Sequence, residues 1–313
     1  MNVLLPRATA MVLDKWKVIY AITPELMGTS MLWMMSGLQN EDPARYVAHC
    51  RAPEVTRALA VQDPAIWQQW FKPLHLLPAD AIEQVTSEDG WFRFGWARHP
   101  VDRLWSAWQS KLLLREPLFV ELYGTAQWFP RSPKELSEGR RRWWARRTAP
   151  ALGAIAEGFE RFVAALAQDL QLLTADPHWA PQSYLLRPKV FPYSEIGRIE
   201  SAPVTLGRLE SHLRAQGWRG TLDLKRLNVT LLPRVVIRDP TLLRLIEKIY
   251  SDDMTAFEYE PANVGRPPSA DASAIAVRAM AELVERHERI DDLHRMLAQD
   301  YYPGAPGGSP EVE

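Results

Sequence analysis

Short apolar runs, each followed by a longer stretch of helical period, set the pattern of this chain. The run KVIYAI over 17–22 is rich in β-branched residues and closed by Pro24, so it predicts a buried strand. The aromatic run WFRFGWA over 91–97 predicts a second. Behind the first, Thr29 or Ser30 is expected to cap a helix through MLWMMSGL, which Gly37 and Asp42-Pro43 end. Behind the second, Leu104, Trp108 and Leu112 recur at i, i+4, i+8 and predict an amphipathic helix. Further helices are expected over 53–61, 63–71 and 78–87, with prolines at their joints, and over 151–173, 204–216 and 242–257. The stretch 175–200 reads as irregular. Two strand-turn-helix units separated by helices argue for a parallel α/β sheet over 1–260. A linker over 261–273, a helix over 274–300 and a disordered tail over 301–313 complete the expected organisation.

In a parallel sheet, ligands sit at the carboxyl ends of the strands, where both turns, 23–30 and 97–106, would lie. The first reads Pro24, Glu25, Leu26, Met27, Gly28, Thr29, Ser30. Backbone N–H groups at a helix start attract phosphate, Gly28 lets the backbone approach, and two hydroxyls add donors. A plain capped helix after a strand explains the same residues. The Gly-Lys-Ser/Thr ending of a Walker loop is absent. In the second turn Arg98 ends the strand and Ser106 lies on the first helical turns. A guanidinium fork with a hydroxyl suits a terminal phosphate, and Arg103 and Lys111 add charge. An ordinary basic surface helix is the alternative.

Composition narrows the field. The 313 residues carry a net charge of −1, so no global field draws the chain to nucleic acid or anionic lipid, and no nucleic-acid partner is expected. Cys50 is the single cysteine, which excludes an internal disulfide and fits a reducing compartment. Residues 1–17 lack the apolar core of a signal peptide, and no run approaches the roughly 20 apolar residues of a membrane span. A cytoplasmic protein is expected. No metal is expected, because no His, Cys or carboxylate cluster has ligand spacing. The segment RSPKELSEGRRRWWARRTAP over 131–150 reads either as a lid or as a solvated helix whose tryptophans dock on the core.

The chain resembles the carbohydrate sulfotransferases, family 2 of the sulfotransferases. The family's first turn, Pro-Lys-x-x-x-Thr-Ser/Asn, matches Pro24 through Ser30, and its Arg-x-Pro-x-x-Arg-Leu-x-Ser-Ala-Tyr-x-x-Lys motif matches Arg98 through Lys111 nearly throughout. GFERFVAAL, DPHWAPQSYLL, FPYSEIGRIES, LNVT and IYSDDMTAFEY follow in the family's order, for coverage of 17–259. The resemblance implies a P-loop-like parallel β-sheet flanked by helices, with many helical insertions. It implies 3'-phosphoadenosine 5'-phosphosulfate (PAPS) as donor, adenosine 3',5'-bisphosphate as product, and a hydroxyl of a small-molecule, glycolipid or carbohydrate acceptor. Arg98 and Ser106 would hold the 3'-phosphate and the 24–30 turn the 5'-phosphosulfate.

Two departures stand out. Leu186 and Lys189 replace the Cys-x-x-Cys of secreted relatives, and Glu25 replaces the family's Lys. Either Glu25 points away and Arg93, Arg103, Lys111 or Lys189 substitutes, or the reaction is lost or changed, leaving a nucleotide-binding relative with a regulatory role. A third reading makes Glu25 a base or a grip for a cationic acceptor. His178 is the candidate base, with His49 and His75 as alternatives; His178-Trp179 serving only to pack and cap is the competing reading. The helix over 274–299 would pack on the core or form a homodimer.

Overall fold

A computed structural model describes residues 5–39, 71–131, 149–222, 224, 232, 234, 237–265, 279–280 and 282–286. Its described residues belong to two compact units, Met1–Ser106 with Leu166–Val229 and Pro240–Asn263, and Ala107–Ala165 with Thr230–Asp239 and Val264–Glu313.

The first unit holds a five-stranded sheet: β1 (Thr9–Leu13), β2 (Val18–Ile22), β3 (Lys72–Pro73), β4 (Phe92–Ala97) and β5 (Glu195–Arg198), in the order β3-β1-β2-β4-β5. β2, β4 and β5 run parallel, with Ala21 opposite Gly95 and Ala97 opposite Arg198. Their carboxyl ends therefore share one edge, as the expected α/β class requires. β1 is antiparallel to both β2 and β3, so the sheet is mixed. β1 was not expected, because TAMVL is apolar on both faces and shows no alternation. β5 lies inside the stretch read as irregular; four residues, two of them charged, give no strand signal.

The described helices are α1 (Gly28–Leu38), α2 (Ala79–Ser87), α3 (Pro100–Ala107), α4 (Pro117–Tyr123), α5 (Ala149–Gln168), α6 (Leu170–Ala175), α7 (Gln182–Leu186), α8 (Ala202–Ala215), α9 (Pro240–Ile249) and α10 (Ser251–Ala256), of which α4 and most of α5 belong to the second unit. Successive strand residues point to opposite faces. On one face Tyr20, Phe94 and Trp96 pack with Met31 and Met35 of α1 and Leu209 and Leu213 of α8; on the other, Ile19, Ala21 and Ala97 pack with Leu185 and Leu186. Close packing beside β5 requires Gly197, where a Cβ would stand 2.4 Å from Thr205 Oγ1 and 2.7 Å from the Trp96 ring.

Two helices expected as continuous are each broken in two. Asp169 stops the first and caps α6 by accepting from Gln171 N and Leu172 N. The second divides at Tyr250, between α9 and α10. α3 passes into a π-helix over Trp108–Leu113, within which Leu112 stays buried as its spacing implied. In the second unit Trp108 meets Phe159 edge to face at 5.4 Å, and Gln109 exchanges two hydrogen bonds with Leu232. His49, the helix expected over 53–61, all but the last residue of the one expected over 63–71, most of the 131–150 segment, and most of the linker, terminal helix and tail lie outside the described residues. Among the described residues no helix is long and apolar enough to cross a membrane.

Candidate functional site

The turn between β2 and α1 is shaped by residues that are not glycine. Glu25 and Met27 have φ values of 67° and 55°, while Leu26 between them does not. Alternating hand turns successive N–H groups toward one concavity, which is how a backbone collects an anion. α1 starts at Gly28, one to two residues ahead of the expected caps; Thr29 and Ser30 are buried inside its first turn, and Met27, the capping residue, offers no side-chain acceptor. The first-turn N–H groups have no acceptor further back along the helix. Thr23 Oγ1 is buried without a hydrogen-bond partner among the described residues. A Cβ on Gly28 would meet only Ile22 Cγ2, at 3.4 Å, so the protein's own packing does not demand glycine there.

The turn after β4 meets this one. Arg98 Nη1 donates to Glu25 O at 3.5 Å, and Ser106 Oγ donates to the Glu25 carboxylate at 2.7 Å. Arg98, Ser106 and the Pro24–Ser30 turn therefore share one edge of the sheet. Glu25 does not point away from this edge; its carboxylate is bound to the hydroxyl that the sequence motif offers to a phosphate.

Arg103 is placed differently from Arg98. It is buried, and it donates from Nε to Pro24 O at 3.2 Å, from Nη1 to Ala180 O at 2.7 Å and from Nη2 to Pro177 O at 2.6 Å. Burial draws its pKa down, and the nearby charges of Asp253 and Glu25 partly restore it. With each of its three nitrogens donating to a carbonyl, Arg103 braces the turn against the segment that carries His178. It is a poor stand-in for the missing Lys. Arg93 is also excluded: its guanidinium donates to Val85 O and Glu88 O, and it sits five residues, roughly 16 Å of strand, before Arg98. Lys111 belongs to the second unit, where it pairs with Glu116 at 2.6 Å.

His178 is half-buried, and both its backbone N–H and its Nδ1 lie on Asp176 Oδ1, at 2.8 and 2.6 Å. With Nδ1 donating to the carboxylate, the neutral ring carries its lone pair on Nε2, the tautomer that a base acting through Nε2 requires. The neighbouring Trp179 is fully buried; its Nε1 donates to Leu172 O and its carbonyl accepts from Tyr250 Oη. Trp179 thus does the packing that was one reading of the pair. His99 is fixed by Val101 N, Glu260 O and the Tyr259 ring.

Three residues around this edge match the family motifs but were given no site role from the sequence. Gln182 accepts from Arg98 N and donates to Arg98 O, both at 2.9 Å. Asp253 takes two hydrogen bonds from Gln182 and two from Ser183. Glu200 accepts from His99 N and Tyr259 Oη. Each stands within a quoted motif, but their roles depend on contacts across 59 to 101 positions of chain.

Searches of curated proteins and of solved structures found no significant match. A family model described as the sulfotransferase family matches residues 8–260, a span that takes in the whole sheet, both turns and the segments bracing them. With that match over most of its length, the chain belongs to the sulfotransferase family.

Proposed function

We propose that the chain transfers a sulfuryl group from PAPS to a hydroxyl of a small-molecule, glycolipid or carbohydrate acceptor. The observation that carries this reading is the meeting of the two strand ends, where Arg98 reaches the carbonyl of Glu25 across the start of α1. The residues fit a nucleotide with two phosphate-bearing ends: backbone N–H groups at 25–30 for one, Arg98 and Ser106 for the other. Thr23 Oγ1, buried and unpartnered among the described residues, adds a donor at the same turn. When bound, PAPS supplies the activated sulfuryl group and an anionic leaving end. The chain's part is to orient that end, exclude water and take the acceptor's proton, for which His178, oriented by Asp176, is the base we assign.

A second reading has its own support, the Ser106–Glu25 hydrogen bond. A carboxylate about 4 Å from a phosphate charge costs about 4 kcal/mol at an effective dielectric near 20. In this reading the chain binds PAPS or adenosine 3',5'-bisphosphate and serves a regulatory role with little turnover. Calorimetric titration with adenosine 3',5'-bisphosphate, followed by a labelled-sulfate assay over a panel of hydroxyl acceptors, separates the two. Binding with transfer supports the enzyme, binding without transfer the regulator, and absence of binding rejects both.

A further inference from the structure

We propose that Gln182, seated on the buried carboxylate of Asp253, is the positioning residue that aims Arg98 at a nucleotide's 3'-phosphate. The inference rests on the nucleotide reading above and names how that site discriminates.

β4 pairs with β5 only as far as Ala97 opposite Arg198. Arg98 is thus the first residue beyond the ladder, where a peptide group has lost its neighbouring strand. Gln182 takes that strand's place. Its Oε1 accepts from Arg98 N and its Nε2 donates to Arg98 O, both at 2.9 Å, so a side-chain amide extends the ladder by one residue. A side chain ordinarily rotates, and one this long loses substantial entropy on being fixed. Asp253 removes that freedom. Asp253 Oδ2 accepts from Gln182 N at 2.8 Å and from Gln182 Nε2 at 3.2 Å; Oδ1 accepts from Ser183 N at 2.7 Å and Ser183 Oγ at 2.6 Å. The two backbone donors belong to the first turn of α7, so the same carboxylate that seats Gln182 also caps its helix. Gln182 and Asp253 are both fully buried.

The side chain of Arg98 is not restrained in the same way. Its one hydrogen bond among the described residues is the 3.5 Å contact with Glu25 O. A fixed backbone beneath a loosely held guanidinium is an arrangement for presenting a cation: the loop's ordering cost is met on folding, not on binding. Losing the clamp should therefore weaken recognition of the phosphate that Arg98 meets and spare the rest of the nucleotide.

The readout is the preference for adenosine 3',5'-bisphosphate over adenosine 5'-monophosphate, measured by calorimetry. Gln182→Met keeps the volume and removes both polar groups; it should lower the preference about tenfold, the scale of a weakened charged hydrogen bond, with monophosphate affinity nearly unchanged. Gln182→Glu keeps an acceptor for Arg98 N but has no N–H for Arg98 O and sets a second carboxylate against the buried Asp253, so it should lose at least as much. A folded Gln182→Met variant with wild-type preference overturns the inference alone. A wild type that binds neither nucleotide overturns the proposed function and this inference with it. Hydrogen exchange at the Arg98 amide of the wild type needs no variant. Slow exchange that nucleotide leaves unchanged supports a preset backbone; fast exchange that slows only on binding overturns it.

Discussion

In the proposed site, the turn after β2 would offer backbone to a ligand and the turn after β4 a side chain. In the first, Glu25 and Met27 hold left-handed φ values, a conformation that costs roughly 1–2 kcal/mol per residue without glycine. That shape is held from outside, by Arg103 on Pro24 O. In the second, Arg98 keeps an ordinary φ, and Gln182 substitutes for the missing neighbour strand. A strained turn is stabilised at its flank by a buried cation, whereas an extended residue at a ladder's end is stabilised by a surrogate partner. Two arginines five positions apart on one segment serve these different ends. Arg103 is buried, with each guanidinium nitrogen donating to a carbonyl; the Arg98 guanidinium makes one hydrogen bond among the described residues.

The largest effect should come from cutting the brace. Arg103→Met leaves three carbonyls without their donor and should lower unfolding free energy in denaturant titration by about 3–5 kcal/mol. A loss under about 1 kcal/mol would mean that the carbonyls find other donors. Arg98→Ala should show the opposite profile. Stability should stay within about 0.5 kcal/mol, while affinity for adenosine 3',5'-bisphosphate falls 10- to 100-fold, about 1.5–3 kcal/mol. Equal stability losses in the two variants would erase the distinction between them.

Glu25 sharpens the comparison at the point where the turns touch. Glu25→Gln removes a like charge facing an incoming phosphate, and calorimetry should record about tenfold tighter bisphosphate binding, with the gain shrinking as salt rises. Tighter binding accompanied by lost transfer would instead give Glu25 a role in the reaction. The smallest effect is expected at Ser106. Ser106→Ala should cost about 1 kcal/mol in thermal unfolding, and almost nothing in a Glu25→Ala background, because both changes delete the same hydrogen bond.

Much of this edge was legible in the chain. Lys17 to Ile22 and Trp91 to Ala97 carry strand signals strong enough to place β2 and β4, and Arg98, Ser106 and Pro24 stand at fixed offsets from them. The exact start of α1 was not legible, because hydroxyls at 29 and 30 imitate caps that the chain does not use. Nor could the substitute for the missing Lys be chosen from Arg93, Arg103, Lys111 and Lys189. Arg93 and Arg103 are both arginines beside the same strand, and only their carbonyl partners disqualify them.

By itself, the sequence determined the local pieces: which runs become strands, which turns carry donors, and that a carboxylate stands where a cation is usual. These follow from nearest-neighbour chemistry and periodicity, which act over a few residues. Tertiary structure decided what each donor does. Whether Arg103 binds a ligand or a carbonyl, whether Glu25 turns outward or onto Ser106, and which residue holds Arg98 all depend on partners 71 to 84 positions away. No local pattern encodes those pairings, because they arise only when the parallel strands bring their carboxyl ends to a common edge.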